Sequence, residues 1–358
     1  MTVPVGAGGV LGLYSAVGDA FAGRRLGFGR RRAALAARFA RYRGAGDASA
    51  SWVAGALAEI GSIAVVVPAD ATPAVRLHLA ADAPLHGAHL VGALPGVPPQ
   101  AADIVRWYRE HDDGTGIPDR LRWDGIPADA AALGIAHAFL EAVEDPEEPR
   151  DPAEALFALS AESGRRFRIE LMAAFRAFVT AGEDWDAPLD LPLPALDEEA
   201  ALALLAARID ARDPATEGRS ERLAALADGL APKLGLDPAR ASRLARLLAL
   251  GRAIDTLPHD DFDPLSRFAR EQRAEITRRA AAIAATVPGY ADDAPVLADS
   301  GRWFEDGAQE PLPALLSLAV VAVALLPAEA ARRLAAAAGS QLDPVVTRAY
   351  LTGLGAPT

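Results

Sequence analysis

Apolar residues recur at spacings of three and four along most of the chain, which is the period of an amphipathic helix. The stretch "ERLAALADGLAPKLGLDPARASRLARLLALG", Glu221 to Gly251, shows the form. An apolar stripe runs to a Gly-Leu-Asp-Pro break, and a second amphipathic run follows. "LDEEAALALLAARIDAR" opens with Asp197 as an N-cap and two acids in the first turn, a favoured helix start. Pro and Gly punctuate at intervals that predict helices of about 10–18 residues, and β-branched runs stay short. The most apolar stretch, Leu315 to Leu326, is bounded by Pro313 and Pro327. It has about half the roughly 20 residues a membrane-crossing helix requires, so it predicts a buried helix.

The same pattern repeats at long range. "GFGRRRAALA" from Gly27 resembles "GRSERLAALA" from Gly218, 191 positions on. Gly61 in "EIGS" matches Gly251 in "ALGR", and Asp113-Gly114 matches Asp306-Gly307. Gly164, Phe167, Leu171 and Phe175 return as Gly339, Leu342, Val346 and Tyr350, 175 positions on. Ordered matches with slowly drifting offsets predict an all-α chain of two tandem helical bundles, residues 10–180 and 200–354. The Pro- and Asp-rich residues 181–199 between them read as a linker.

Composition narrows the chemistry. The 358 residues include no Cys, which excludes disulfides, thiolate metal sites and a cysteine nucleophile, and fits a cytoplasmic location. The N-terminus lacks a basic head ahead of an apolar run, so no secretory signal is expected. A net charge of −12 argues against a general nucleic-acid surface. Eight arginines crowd Arg24 to Arg43. They read first as a solvated helix face, with an acidic partner or a nucleotide phosphate as the alternative.

Four stretches carry a family resemblance: "GALAEIGSI" (Gly55 to Ile63), "EHDDGTGIP" (Glu110 to Pro118), "IPADAAALGIAHAF" (Ile126 to Phe139) and "SGRRFRIELMAAF" (Ser163 to Phe175). Together they resemble HD-GYP domains, the helical metal-dependent phosphodiesterases of bacterial cyclic di-GMP signalling. The resemblance implies an all-α fold and a site holding two or three iron or manganese ions on histidines and carboxylates. Such ions generate hydroxide and clamp phosphoryl oxygens. It also implies a partner loop at Asp113, Gly114, Thr115, Gly116, Ile117 and Pro118, which in the family contacts diguanylate-cyclase domains. Here Ile117 stands where the family has tyrosine.

Carried over position by position, the ligands are mostly missing. The early histidine falls at Phe28, the His-Asp pair at Ala58-Glu59 and the following lysine at Ser62. A later histidine falls at Ala83, the adjacent histidine pair at Tyr108-Arg109 and the closing aspartate at His137. The second copy has Arg219, Leu248-Ala249, Arg279, Gly301-Arg302 and Val323 at these places. Three arginines there would repel a dication by several kcal/mol at an effective dielectric of about 20.

Six histidines remain: His78, His86, His89, His111, His137 and His259. A rewired metal site would draw on Glu59, His86, His89, Glu110, His111 and His137, since His86 and His89 lie one helical turn apart. The leading expectation is a catalytically inactive HD-GYP-like regulatory or scaffold protein without cofactor, acting on another signalling protein. The alternatives are a divergent phosphodiesterase using the rewired residues with iron or manganese, and a non-catalytic cyclic di-GMP sensor. No nucleic-acid or membrane partner is expected.

Overall fold

The computed structural model describes residues 9–68, 70–182, 189–254, 263–307 and 309–354. His259 and residues 183–188 of the expected linker lie outside them. The chain divides into two compact units, Met1–Asp197 and Glu198–Thr358. Both are helical. Among the described residues the extended pairing is confined to two isolated bridges, Ser163 with Phe167 and Ala338 with Leu342.

The first unit runs α1 (Val10–Phe21), α2 (Phe28–Arg43), α3 (Ala48–Leu57), α4 (Pro73–Ala80), α5 (Ala83–Gly92), α6 (Pro99–Trp107), α7 (Ala128–Val143), α8 (Pro152–Ser160) and α9 (Ile169–Thr180). Its centre is aromatic. Phe39 of α2 and Phe139 of α7 both meet the ring of Phe175 on α9, at 5.0 and 5.4 Å between centroids. Edge-on packing of this kind adds about 0.5–1.5 kcal/mol per pair beyond area burial.

Helix α2 starts at Gly27, whose φ of 96° lies in the left-handed region open to glycine. It has no cap of its own. Asp19 of α1 supplies one instead, accepting from the backbone N–H groups of Gly27 and Gly29, each at 2.8 Å. A carboxylate at these orphan donors also suits the helix dipole. Of the expected linker, residues 189–197 belong to the first unit, whereas Glu198 and Glu199 already form the first turn of a helix in the second. Within residues 189–197 the carbonyl of Asp190 accepts from Arg41, and that of Pro192 from the Ser49 hydroxyl at 3.0 Å.

The second unit runs α10 (Glu198–Asp210), α11 (Arg219–Leu230), α12 (Pro238–Leu247), α13 (Arg267–Ala285), α14 (Ala294–Asp299), α15 (Pro311–Ala324), α16 (Pro327–Ala337) and α17 (Pro344–Gly353). A 3₁₀ stretch, Leu248–Ile254, follows α12 directly. The apolar run expected to be buried forms α15, and Leu315, Leu316, Leu318 and Val321 are buried. No helix of the described residues is long and apolar enough to cross a membrane.

Candidate functional site

Four apolar-face positions of α2 recur at helical spacing: Phe28, Arg32, Leu35 and Phe39, all buried. One of them is an arginine. Arg32 is fully covered, and its charge has to be met inside the protein. Its Nε donates to the carbonyl of Gly55 on α3 at 2.7 Å. Its Nη1 donates to Glu59 Oε2 at 2.9 Å, in the turn that follows α3.

Glu59 is 2% exposed and draws two further guanidinium groups. Arg24 reaches its Oε1 at 3.3 Å and also pairs with Glu141 of α7; Arg109, just after α6, lies at 3.4 Å. Burial alone would raise the Glu59 carboxyl, but the basic groups around it, Arg32 foremost, outweigh it and hold it at about 2. The carboxylate is therefore ionised across the physiological range.

His137 of α7 closes the cluster. Its Nδ1 lies 3.2 Å from Arg32 Nη1, and the rings of Phe28 and Tyr108 meet it edge-on at 5.8 and 5.4 Å. Burial first, and then the arginines, lower its pKa well below the usual value. A neutral imidazole with a bare Nδ1 is what accepts a hydrogen bond from Arg32. Asp19, next to Arg32, moves the other way. Burial raises it to about 6 despite Arg32 and the glycine N–H donors, and the Glu59 charge adds to the rise.

Of the six residues of the rewired-site expectation, Glu59 and His137 meet in this cluster. Glu110 and His111 line the adjoining cavity of about 360 Å³, with other contacts. The Glu110 carboxylate accepts from the backbone N–H groups of Asp119, Arg120 and Leu121 at 2.6–3.0 Å, so it organises the loop after α6. Arg120 and Trp123 of that loop have φ of 56° and 41°, a strained region for side-chain-bearing residues. His111 Nδ1 is 3.0 Å from the Thr115 hydroxyl. His86 is half-buried and His89 exposed on α5, and neither lines the cavity. In the expected partner loop, Asp113 accepts from the Thr115 N–H at 2.9 Å. Gly116 packs so closely on Glu110 that a Cβ would lie 2.4 Å from its Cα.

This donor set does not fit a metal centre. Among the described residues, no three His, Asp or Glu side chains gather so as to hold an ion. The one carboxylate at the right place has its lone pairs committed to guanidinium groups. Positive charge still faces Glu59, but it is covalently part of the chain.

Several of these residues were not singled out in the sequence. Arg24 and Arg32 lie in the stretch read first as a solvated face, and that reading is corrected for both. The signal was there, because Arg32 interrupts an apolar stripe. Glu141 is also part of the cluster, one turn beyond His137.

The second unit needs another correction. Of its expected site arginines, Arg279 pairs with Glu275 and Arg302 with Asp299, and neither lines the cavity that Leu248 and Ala249 border. Arg219 does line it, joined by Arg252 and Arg273, while Val320 and Val321 take the place expected for Val323.

Comparison with known proteins now bears on this geometry. Residues 23–171, which contain Arg24, Arg32, Glu59, Arg109 and His137, match the HD domain family. The fold of the chain is similar to the crystal structure of a cyclic GMP-AMP specific phosphodiesterase from V. cholerae, with a TM-score of 0.65 over 97% of each chain. Identity is 16%, so the likeness is one of fold. No curated protein matches the sequence.

Proposed function

We propose that this protein is a non-catalytic HD-domain protein, a regulatory module in which fixed arginines have replaced the metals of a phosphodiesterase site. The observation that carries the reading is the clamp on Glu59. HD-type hydrolysis depends on a cation that can polarise water and release product, whereas a guanidinium supplies charge and hydrogen bonds but no coordination position. Phe28, Ala58 and Tyr108 stand at positions where the resemblance calls for ligands, and none of them replaces a histidine.

The second unit is read as a further copy of the HD-GYP-like fold. In support, Asp19 accepts from the N–H of Gly29, and Asp210 from the N–H of Ser220 at 2.6 Å, with both residues displaced by 191 positions. The two isolated bridges are likewise displaced by 175 positions. A Cβ on Gly61 would lie 1.8 Å from the Ala83 carbonyl oxygen, and one on Gly251 1.8 Å from that of Ile276.

In this reading the protein acts in the cytoplasm on another signalling protein, such as a diguanylate-cyclase domain, through the loop Asp113 to Pro118. One observation favours a second reading, a cyclic-dinucleotide sensor: Arg24, Arg109 and Arg166 line the open cavity beside the clamp. Guanidinium groups suit phosphates. Both readings are tested by incubating the purified protein with cyclic di-GMP or cyclic GMP-AMP in the presence of manganese or iron. No linear product is expected, and turnover would defeat the non-catalytic proposal. Calorimetric heat without turnover would select the sensor.

A further inference from the structure

The second unit contains a buried arginine for which no acidic partner stands among the described residues. Arg273 lies on α13 and is 5% exposed. Its Nε and Nη2 are buried without a hydrogen-bond partner among the described residues. It lines a cavity of about 100 Å³ together with Arg219 and Arg252, and none of the described lining residues is acidic. Arg252 is already paired with Asp210 at 3.3 Å. The neighbouring Gln272 also lines the cavity and leaves its Nε2 buried and unpaired. Among the described residues, the buried side-chain atoms of this lining that lack a partner are all donors. The lining also has apolar residues, among them Leu248, Ala249 and Val320.

A buried guanidinium without a counter-charge is costly, and structures normally satisfy such a group. Burial, reinforced by the nearby Arg270, lowers the Arg273 pKa to about 10, which still leaves it charged at neutral pH. Water would satisfy the donors but would leave the charge unmet. An oxyanion satisfies both, since its oxygens accept from a guanidinium through charge-assisted hydrogen bonds.

We propose that this cavity is a binding site for a small organic oxyanion, a carboxylate or phosphate carried on a short apolar body, with Arg273 as its counter-charge. The proposal is independent of the reading of the first unit, where Arg24, Arg32 and Arg109 are engaged by Glu59. In the second unit, the cavity beside Arg273 has buried unmet donors and no acidic residue among its described lining.

The test uses the full-length protein and three probes: hexanoate, inorganic phosphate and 1-hexanol. Hexanoate is expected to give saturable heat and to raise Tm. Hexanol is expected to do neither, and phosphate to bind more weakly than hexanoate because it leaves the apolar wall unfilled. Arg273→Met is expected to weaken hexanoate binding by about tenfold or more, the loss of one charged hydrogen-bond set. The same variant should melt at a higher temperature than wild type without ligand, because an uncompensated charge has been removed from the interior. Hexanol binding as well as hexanoate, or Arg273→Met binding hexanoate like wild type, would overturn the site. So would wild type showing no response to either anion, a result that does not depend on the variant folding. Phosphate binding equal to hexanoate would overturn the apolar half of the assignment.

Discussion

Glu59 and Arg32 form a buried ion pair in the first unit. Both side chains are about 1% exposed, so removing one partner leaves the other charged and buried. Arg32→Met is expected to cost about 3–5 kcal/mol, the usual penalty for breaking a buried pair. Arg32→Met with Glu59→Leu should recover much of that loss, because Arg24 and Arg109 are part-exposed and are able to turn to solvent. Urea denaturation of the two single variants and the double variant measures the coupling, and additivity within error would contradict it. The pH dependence follows from the same residues. Glu59 is depressed to about 2 from 4.5, so in that interval the unfolded chain binds more protons. Its contribution is complete above about 4.5 and is lost as pH falls through about 2. Asp19 has the opposite sign: raised from 3.8 to about 6, it favours the folded state most at low pH and loses that contribution as pH rises through about 6. Glu59→Gln should therefore flatten only the lower limb of the stability–pH curve. A variant curve parallel to wild type throughout would show that Glu59 is not the ionised group.

At the level of helices, close approach is bought with glycine rather than with ligands. A Cβ at Gly61 would meet the carbonyl oxygen of Ala83 at 1.8 Å and the N of Gly87 at 2.4 Å, both backbone atoms of α5. Gly61→Ala would force apart the turn that holds Glu59 and the neighbouring helix, and a loss of at least about 2 kcal/mol is expected from overpacking against main chain. Gly229 is a contrasting case inside α11, where a Cβ meets nothing within 4 Å. Gly229→Ala should stabilise the protein by about 0.5–1 kcal/mol through helix propensity. Thermal melts of the two variants should move in opposite directions, and a fall in Tm for Gly229→Ala would show that α11 is not the ordinary solvent-edged helix described. Helices were the most legible feature of the sequence, because a 3.6-residue stripe fixes which face is buried. Asp47, Asp151, Asp237 and Asp343 each cap the helix that follows them, a local signal that single residues carry. What escaped was long-range: the cap on α2 comes from Asp19, eight residues before Gly27, and no local pattern announces it.

Across the whole chain, the all-α architecture and the HD-domain likeness of its first half could be read from short motifs, chiefly "DGTGIP" and the Gly pattern. The cluster around Glu59 was only half legible. Glu59 and His137 were visible as survivors of a ligand set, while Arg24 and Arg32 were hidden in an arginine-rich run whose charge implied solvent. Burial reverses that implication when a carboxylate waits across the helix interface, and spacing alone does not reveal the partner. The two units then use arginine differently: the first neutralises its buried guanidinium internally, and the second leaves Arg273 without an acid among its described neighbours. The central claim is that internal cations have taken over from metal at Glu59. It is tested most directly by elemental analysis of full-length protein purified after growth with added iron and manganese. The account predicts no stoichiometric metal, and an unchanged content in Glu59→Gln and in His137→Ala. Iron or manganese present in fixed ratio to the chain, and lost in those two variants, would contradict it.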